Sequence, residues 1–259
     1  MEMDLEKVEL DTQYLKTNFE AQGIVLIRDF FSKEKIEGLR KDAERVFERQ
    51  FTNYNYSGDF RQNIQKLFEE DFETFVNCGK TIQQGLWSLY ELAVDQKIKK
   101  ILSKLGLETP NLCTRPVLFF NNKRLAKDSV YYKTPPHQDW SSMQSSDNSV
   151  VIWVPLIDVN VQNGSVIFYP KTHLLGPLGY ERIGGFAKVN IPEGYMNPIQ
   201  PEMNIGDIAI FSTLLIHESG EIEDDSIRWS CHFRYTDLDS QDFISRGFPN
   251  PYEYKPTYK

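Results

Sequence analysis

The spacing of apolar residues changes once along this chain, near residue 110, and that change constrains its fold more than any other feature. Before it, apolar residues recur with helical period. Behind Ser32, a residue type suited to capping a helix start, Ile36, Leu39, Ala43, Val46 and Phe47 fall on one stripe with charges between them. Ile82, Leu86, Leu89, Tyr90 and Ala93 form a second stripe, and Ile98, Ile101, Leu102 and Leu105 a third, which Gly106 stops. Only the run Gly23 to Ile27, rich in β-branched residues, reads as a strand in this part. From Arg115 onward the runs are short and β-prone: Pro116 to Phe120, Val150 to Val159, Ser165 to Tyr169, Ile208 to Ser212 and Ile227 to Tyr235. Clusters of Asn, Gly, Pro and Asp separate them. The expectation is an α+β chain. Residues 1–110 are mainly helical, residues 111–240 form a closed or nearly closed β architecture such as a jelly roll, with the helices packed outside, and residues 241–259 are an irregular tail. With 259 residues and 40% apolar content, one large core suffices and a single domain is expected. Two long connections, 121–129 and 171–206, are where substrate contacts are expected.

Charge and cysteine usage narrow the function class. A formal net charge of -8 opposes any surface that holds a phosphate backbone, so nucleic acid is not an expected partner. The first residues are acidic and lack the basic and apolar regions of a signal peptide, and no run reaches the length of a membrane span; a cytoplasmic protein without a membrane partner is expected. Cys78, Cys113 and Cys231 are scattered without a C-x-x-C pair, so they read as free thiols rather than disulfides or zinc ligands. Nothing in the pattern speaks to oligomeric state.

The chain has four histidines, so each is weighed separately. His137 and Asp139 are two residues apart, which on an extended segment turns both side chains to one face. A His-x-acid pair arises by chance about 0.6 times in a chain with four His and 37 acidic residues, so the pair alone decides nothing. His217 follows the strand Ile208 to Ser212, where a side chain can return to the same mouth. Two imidazoles and one carboxylate leave three octahedral positions open, which suits Fe(II) oxygen chemistry better than closed structural zinc; the ligand types alone also admit catalytic zinc or manganese. Alternation along Ile227 to Tyr235 puts Ile227, Trp229, Cys231, Phe233 and Tyr235 on one face and Arg228, Ser230, His232 and Arg234 on the other. A guanidinium pointing into a barrel requires an anion, and a dicarboxylate co-substrate would supply it; an internal salt bridge or an exposed edge position is the alternative.

In order, Thr134-Pro-Pro-His-Gln-Asp-Trp140, Val151 to Asp158, Asn163-Gly-Ser165, Pro170-Lys-Thr-His173, Gly206-Asp207, His217-x-Ser219 and Arg228 resemble the motifs of the phytanoyl-CoA dioxygenase family of Fe(II)/2-oxoglutarate-dependent oxygenases. The opening Gln22 to Ile27 and its helix are similar too, and the resemblance spans roughly residues 18 to 236. It implies a double-stranded β-helix with Fe(II) on His137, Asp139 and His217, and 2-oxoglutarate chelated to the iron with its distal carboxylate on Arg228 and Ser219. Thr134, Gln138 and Trp153 would stand nearby. O2 would react there, releasing succinate and CO2 and hydroxylating an aliphatic C–H bond. Related halogenases have a small residue where this chain keeps Asp139, so hydroxylation is expected over halogenation. His173 is expected as a structural loop residue and His232 as a hydrogen-bonded core histidine.

A small polar metabolite or biosynthetic intermediate is the expected small-molecule substrate. Tyr131, Tyr132, Trp140, Ser141, Met143 and Gln144 are candidates to line its pocket, and Lys123, Arg124 and Lys127 to meet an anionic group on it, against the simpler roles of core and solvated loop. Two other functions fit parts of the pattern. A cupin-type isomerase or dioxygenase working without 2-oxoglutarate would have a fourth protein ligand and no inward arginine. A non-catalytic jelly roll binding carbohydrate would keep its ligand when the metal is lost.

Overall fold

The computed structural model describes residues 2–4, 12–127, 133–183 and 185–252. Strand β1 (Glu2–Asp4) and helix α1 (Thr12–Gln22) precede strand β2 (Ile24–Arg28) and helix α2 (Lys33–Asn53). Ser32 caps α2 by accepting the Lys35 N–H, and Ile36, Leu39, Ala43 and Phe47 form its buried stripe, as their spacing predicts. A helix the spacing did not reveal, α3 (Phe60–Glu70), starts at a reciprocal capping box between Asp59 and Gln62. The stripe from Ile82 to Ala93 is two helices rather than one, α4 (Phe72–Gly85) and α5 (Trp87–Ala93). Leu86 is extended between them (φ -72°, ψ 123°), directly after glycine, a weak helix former. Helix α6 (Gln96–Lys104) completes the layer and ends before Gly106, as expected.

The rest of the chain builds strands β3 (Pro110–Leu112), β4 (Val117–Asn121), β5 (Val150–Pro155), β6 (Ile167–Phe168), β7 (Glu181–Ile183), β8 (Phe186–Lys188), β9 (Ile208–Ser212), β10 (His217–Glu218) and β11 (Arg228–Asp237). One-turn helix α7 (Trp140–Met143) precedes β5, and α8 (Gln241–Ser245) follows β11. The large sheet runs β1-β2-β9-β5-β11-β3, with β4 also on β11; β1 and β2 are parallel and the other pairs antiparallel. Both faces of its central strands are buried. Val25, Ile27, Val150, Ile152, Val154, Ile208, Ile210, Trp229, Cys231, Phe233 and Tyr235 pack with the helices in one core. Ile24, Leu26, Val151, Trp153, Ala209 and Phe211 point the other way, into a second core closed by Phe168, Met203 and Leu215. A strand buried on both faces has no polar side, which is why these runs are continuously apolar.

A small antiparallel sheet of β6 and β10 stands opposite the large one, joined to it by Phe168 against Phe211 at 5.1 Å. Sheets and helices thus form an α+β structure whose second core lies between the antiparallel part of the large sheet and the small antiparallel sheet. Several bounds differ from expectation. The run Val150 to Val159 leaves the sheet at Pro155, and Ser165 to Tyr169 pairs only at Ile167–Phe168. The connection 171–206 holds a 3-10 turn (Thr172–Leu175) and the β7–β8 hairpin, and the tail begins with α8 rather than being irregular throughout. His173 is a loop residue as expected: its Nε2 donates to the Glu20 carbonyl at 2.9 Å, and its ring covers Gly23, where φ is +76° and a Cβ would lie 2.4 Å from Nδ1. The three cysteines are free. Among the described residues no helix is long and apolar enough to cross a membrane.

Candidate metal centre

His137 and His217 face each other across two extended segments. Each donates its backbone N–H to the other's carbonyl, at 3.0 and 3.1 Å, and the ring centroids are 4.2 Å apart. Both rings are oriented by the same local device: His137 Nδ1 lies 2.8 Å from the Pro135 carbonyl and His217 Nδ1 lies 3.0 Å from the Leu215 carbonyl. A carbonyl only accepts, so each Nδ1 carries a proton and Nε2 is the nitrogen of each ring left to face a ligand. Phe211 and Phe168 pack on the His217 ring at 4.7 and 6.3 Å. Burial among them, with His137 beside it, pushes His217 down to about 3, so its imidazole is neutral through the physiological range.

Asp139 sits at the start of α7, two residues beyond His137. Its Oδ1 is 3.3 Å from His137 Nε2, and the ligand atoms of His137, Asp139 and His217 all lie within 4.8 Å of one another. The carboxylate is clamped from behind: Arg234 Nε donates to Oδ2 at 2.7 Å and Nη2 to Oδ1 at 3.1 Å. Burial alone would raise this carboxyl, but the guanidinium and the two histidines outweigh it and hold Asp139 well below the usual carboxylate range. Two imidazoles and a fixed carboxylate converge on one point, a donor set that fits a divalent transition metal.

The strand face that carries Arg234 also carries a second, buried cation, Arg228. Arg228 is 4% exposed, so the exposed-edge alternative does not hold, and among the described residues no carboxylate pairs with it. Its Nη1 donates to the Gly164 carbonyl, while its buried Nε has no partner. Burial pushes the guanidinium down to about 10, which still leaves it charged at neutral pH. Gly164 comes this close because the chain opposite it tolerates no side chain either: a Cβ on Gly220 would lie 2.1 Å from the Ser165 carbonyl oxygen. Ser219 donates its backbone N–H to the Thr134 carbonyl, and Thr134 returns its own N–H to Ser219 Oγ, both at 3.1 Å, so the two continue the pairing begun by the histidines.

Other expected contacts fall elsewhere. Gln138 points away from the histidines. Its Nε2 donates to the Gly176 and Leu214 carbonyls at 3.0 and 2.6 Å and its Oε1 accepts the Leu178 N–H at 2.8 Å, which saturates the amide and makes it a loop anchor rather than a co-substrate contact. Trp153 is buried in the inter-sheet core, opposite His232 in register. Trp140, Ser141 and Met143 are buried, the Trp140 indole donates to the Ser145 carbonyl at 3.0 Å, and Gln144 Nε2 donates to Ser141 O, so these four are local structure rather than pocket wall. Tyr131 and Tyr132 lie outside the described residues. The basic loop is paired locally: Lys123 with the Glu223 carbonyl, Arg124 with Asp225 at 2.9 Å, Lys127 over the Phe72 ring. Alternation along β11 puts Arg234 on the inward face, and only the fold brings Asp139 to it.

Similarity to known proteins agrees with this arrangement. The phytanoyl-CoA dioxygenase (PhyH) family model matches residues 19–230. The peroxisomal phytanoyl-CoA dioxygenase of Rattus norvegicus is 24% identical over 230 residues, 85% of this chain and 67% of its own length. That of Arabidopsis thaliana is 25% identical over 187 residues, 61% of this chain and 63% of its own. The chain thus spans about two thirds of the length of these relatives. Among solved structures, the epimerase SnoN in complex with Fe3+, alpha ketoglutarate and nogalamycin RO aligns with a TM-score of 0.61 at 19% identity, covering 87% of this chain and 83% of its own. EctD from S. alaskensis with 2-oxoglutarate and 5-hydroxyectoine aligns with a TM-score of 0.57 at 14% identity, covering 88% and 77%. Matched along most of its length by the family model, and with the histidines and aspartate of its motifs gathered at one point, the chain belongs to the phytanoyl-CoA dioxygenase family.

Proposed function

We propose that this protein is an Fe(II)- and 2-oxoglutarate-dependent dioxygenase, built as one domain around a double-stranded β-helix, that hydroxylates an aliphatic C–H bond of a small polar metabolite or biosynthetic intermediate. One observation carries the reading. A convergent His-Asp-His set, both of whose Nδ1 atoms face backbone carbonyls, is joined through Arg234 to the strand face that also carries a buried arginine with no carboxylate partner among the described residues. A buried cation without an anion is costly, and a dicarboxylate co-substrate removes that cost. The β-helix reading is supported by two antiparallel sheets face to face and by the similarity in fold to SnoN and EctD.

In this reading His137, Asp139 and His217 hold the iron. Arg228 and Ser219 take the distal carboxylate of 2-oxoglutarate, Thr134 holds the Ser219 hydroxyl in place, and Trp153 contributes to the apolar wall. Bound there, the iron supplies O2 activation coupled to oxidative decarboxylation of 2-oxoglutarate to succinate and CO2. The protein supplies geometry and dryness: the imidazole tautomers are set by backbone carbonyls, and Phe168 and Phe211 keep water from His217. Asp139 would hold one coordination position of the iron, which favours hydroxylation over halogenation. A cupin-type enzyme independent of 2-oxoglutarate fits less well, because the metal-binding group has three members among the described residues and Arg228 points inward.

The test is succinate formation. Protein loaded with Fe(II) should consume O2 and convert 2-oxoglutarate to succinate, faster in the presence of its substrate within a metabolite panel. Arg228→Ala should raise the half-saturating 2-oxoglutarate concentration about thirtyfold or more, the cost of truncating one partner of a buried charge pair, with Fe(II) binding unchanged. Wild-type protein that forms no succinate under any of these conditions would contradict the proposal.

A further inference from the structure

The inward face of β11 carries, in order, Arg228, Ser230, His232 and Arg234. Its two ends already have roles at the site: Arg234 grips Asp139, and Arg228 is the buried cation without a carboxylate. Between them His232 is unexplained. It pairs in register with Val117 of β4 and Trp153 of β5, and its ring lies against Phe119 at 5.1 Å. Its Nε2 is buried and makes no hydrogen bond. Buried polar atoms in native proteins are nearly always satisfied, so an orphan beside a site marks the place of a missing partner. Arg228 Nε is an orphan of the same kind on the same strand face.

Resting on the 2-oxoglutarate reading above, we propose that His232 is a co-substrate contact, its Nε2–H donating to the C1 carboxylate of 2-oxoglutarate while Arg228 holds the other end. The order along the strand matches the order along the molecule. The distal carboxylate belongs at Arg228, the chain passes small Ser230, the C1 end reaches His232, and one step further Arg234 marks the carboxylate ligand of the metal. Arg228 and His232 are separated by roughly 13 Å of strand, a span that a long guanidinium side chain and a five-carbon diacid bridge between them. His232 is half-buried on the polar face of the strand with its Nε2 shut off from solvent; desolvation and the Arg234 guanidinium hold it well below its usual range, so it donates one hydrogen bond without adding a third charge to the interior. Phe119, 38% exposed on the same face, covers the imidazole on one side. His232 touches the co-substrate and not the metal, so its loss should spare iron.

The experiment is anaerobic titration of Fe(II)-loaded protein with 2-oxoglutarate, read by calorimetry and by the visible charge-transfer band of the chelate, for wild type, His232→Leu and His232→Gln. The same titration is run with 4-oxopentanoate, which keeps the distal carboxylate and the keto group but has a methyl group in place of the C1 carboxylate. His232→Leu should weaken 2-oxoglutarate about tenfold or more and move the band, with Fe(II) affinity and the affinity for 4-oxopentanoate unchanged. His232→Gln, which restores an N–H donor, should recover most of the loss. Equal weakening of both ligands by His232→Leu would overturn the proposal, as would wild-type 2-oxoglutarate affinity in that variant. Absence of any band in wild type would instead remove the co-substrate reading itself, so the two failures are distinct.

Discussion

At the scale of single residues, the site depends on how Asp139 is held. Arg234 binds both carboxylate oxygens, which fixes the plane of the group and leaves Oδ1 facing His137. Replacing Arg234 by Met should weaken metal binding about tenfold to a hundredfold, the usual effect of losing the group that orients a ligand, and Arg234→Lys should recover part of it. Titration with Co(II), followed by its visible spectrum, measures this directly, and circular dichroism shows whether the variant is folded. An affinity equal to wild type would mean the clamp is structural only. Much of this chemistry was legible in the sequence. His137, Asp139 and His217 were selected by residue type and order, and Arg228 by the alternation that also put Trp229, Cys231, Phe233 and Tyr235 in the helix-facing core. The Asp139–Arg234 pair was not legible, because its members are far apart in sequence and either could have found another partner. Gln138 was misplaced for a related reason: its position beside two ligands says nothing of which way an intervening side chain points, and the loop at Gly176 and Leu178 claims it.

At the scale of elements, the joints carry the specific interactions. Asp237 ends β11 and accepts the backbone N–H groups of Glu108 and Thr109 at 3.0 and 2.9 Å and the Asn148 amide at 3.1 Å, tying the helical layer to the sheet. Burial would raise its carboxyl, but these donors outweigh that and lower it. A depressed folded-state value means the stabilisation is complete above the unfolded carboxylate value, about 4, and is lost as pH falls through the folded one. Asp237→Asn should therefore cost about 1–3 kcal/mol at neutral pH, with the difference from wild type shrinking on acidification; urea unfolding at neutral and acid pH measures both. Removing the α3 cap with Asp59→Ala should cost about 1 kcal/mol, seen as a lower urea midpoint at unchanged slope. Helices with a continuous stripe were read from spacing, whereas α1, α3, the start of α4 before Ile82 and the break at Leu86 were not. The break falls between residues that keep apolar spacing, although Tyr90 of that stripe is exposed, so periodicity does not see it. The two-residue strands β6 and β10 exist through pairing with each other, which local sequence does not encode.

At the scale of the whole molecule, helices and sheet share one core. Phe47 of α2 packs against Phe51, Phe60, Phe75 and Phe120, rings contributed by both layers. Phe47→Ala should cost about 3–5 kcal/mol and lower the far-ultraviolet and tryptophan fluorescence transitions together, because neither layer keeps its core without the other. Two separated transitions would show that the helical layer unfolds alone. The His137–Asp139–His217 set borders the second core, between the sheets, where Phe168 and Phe211 pack on the His217 ring. The polar groups that face inward are the ones metal and co-substrate would satisfy, so the fold and the proposed chemistry make the same demand on β11. The measurement that tests this most directly is anaerobic addition of Fe(II) and 2-oxoglutarate to wild type and His217→Ala. Wild type should develop the weak visible metal-to-ligand charge-transfer band of the chelate, and His217→Ala should lose it. No band in wild type, or an undiminished band in His217→Ala, would contradict the assignment of this site.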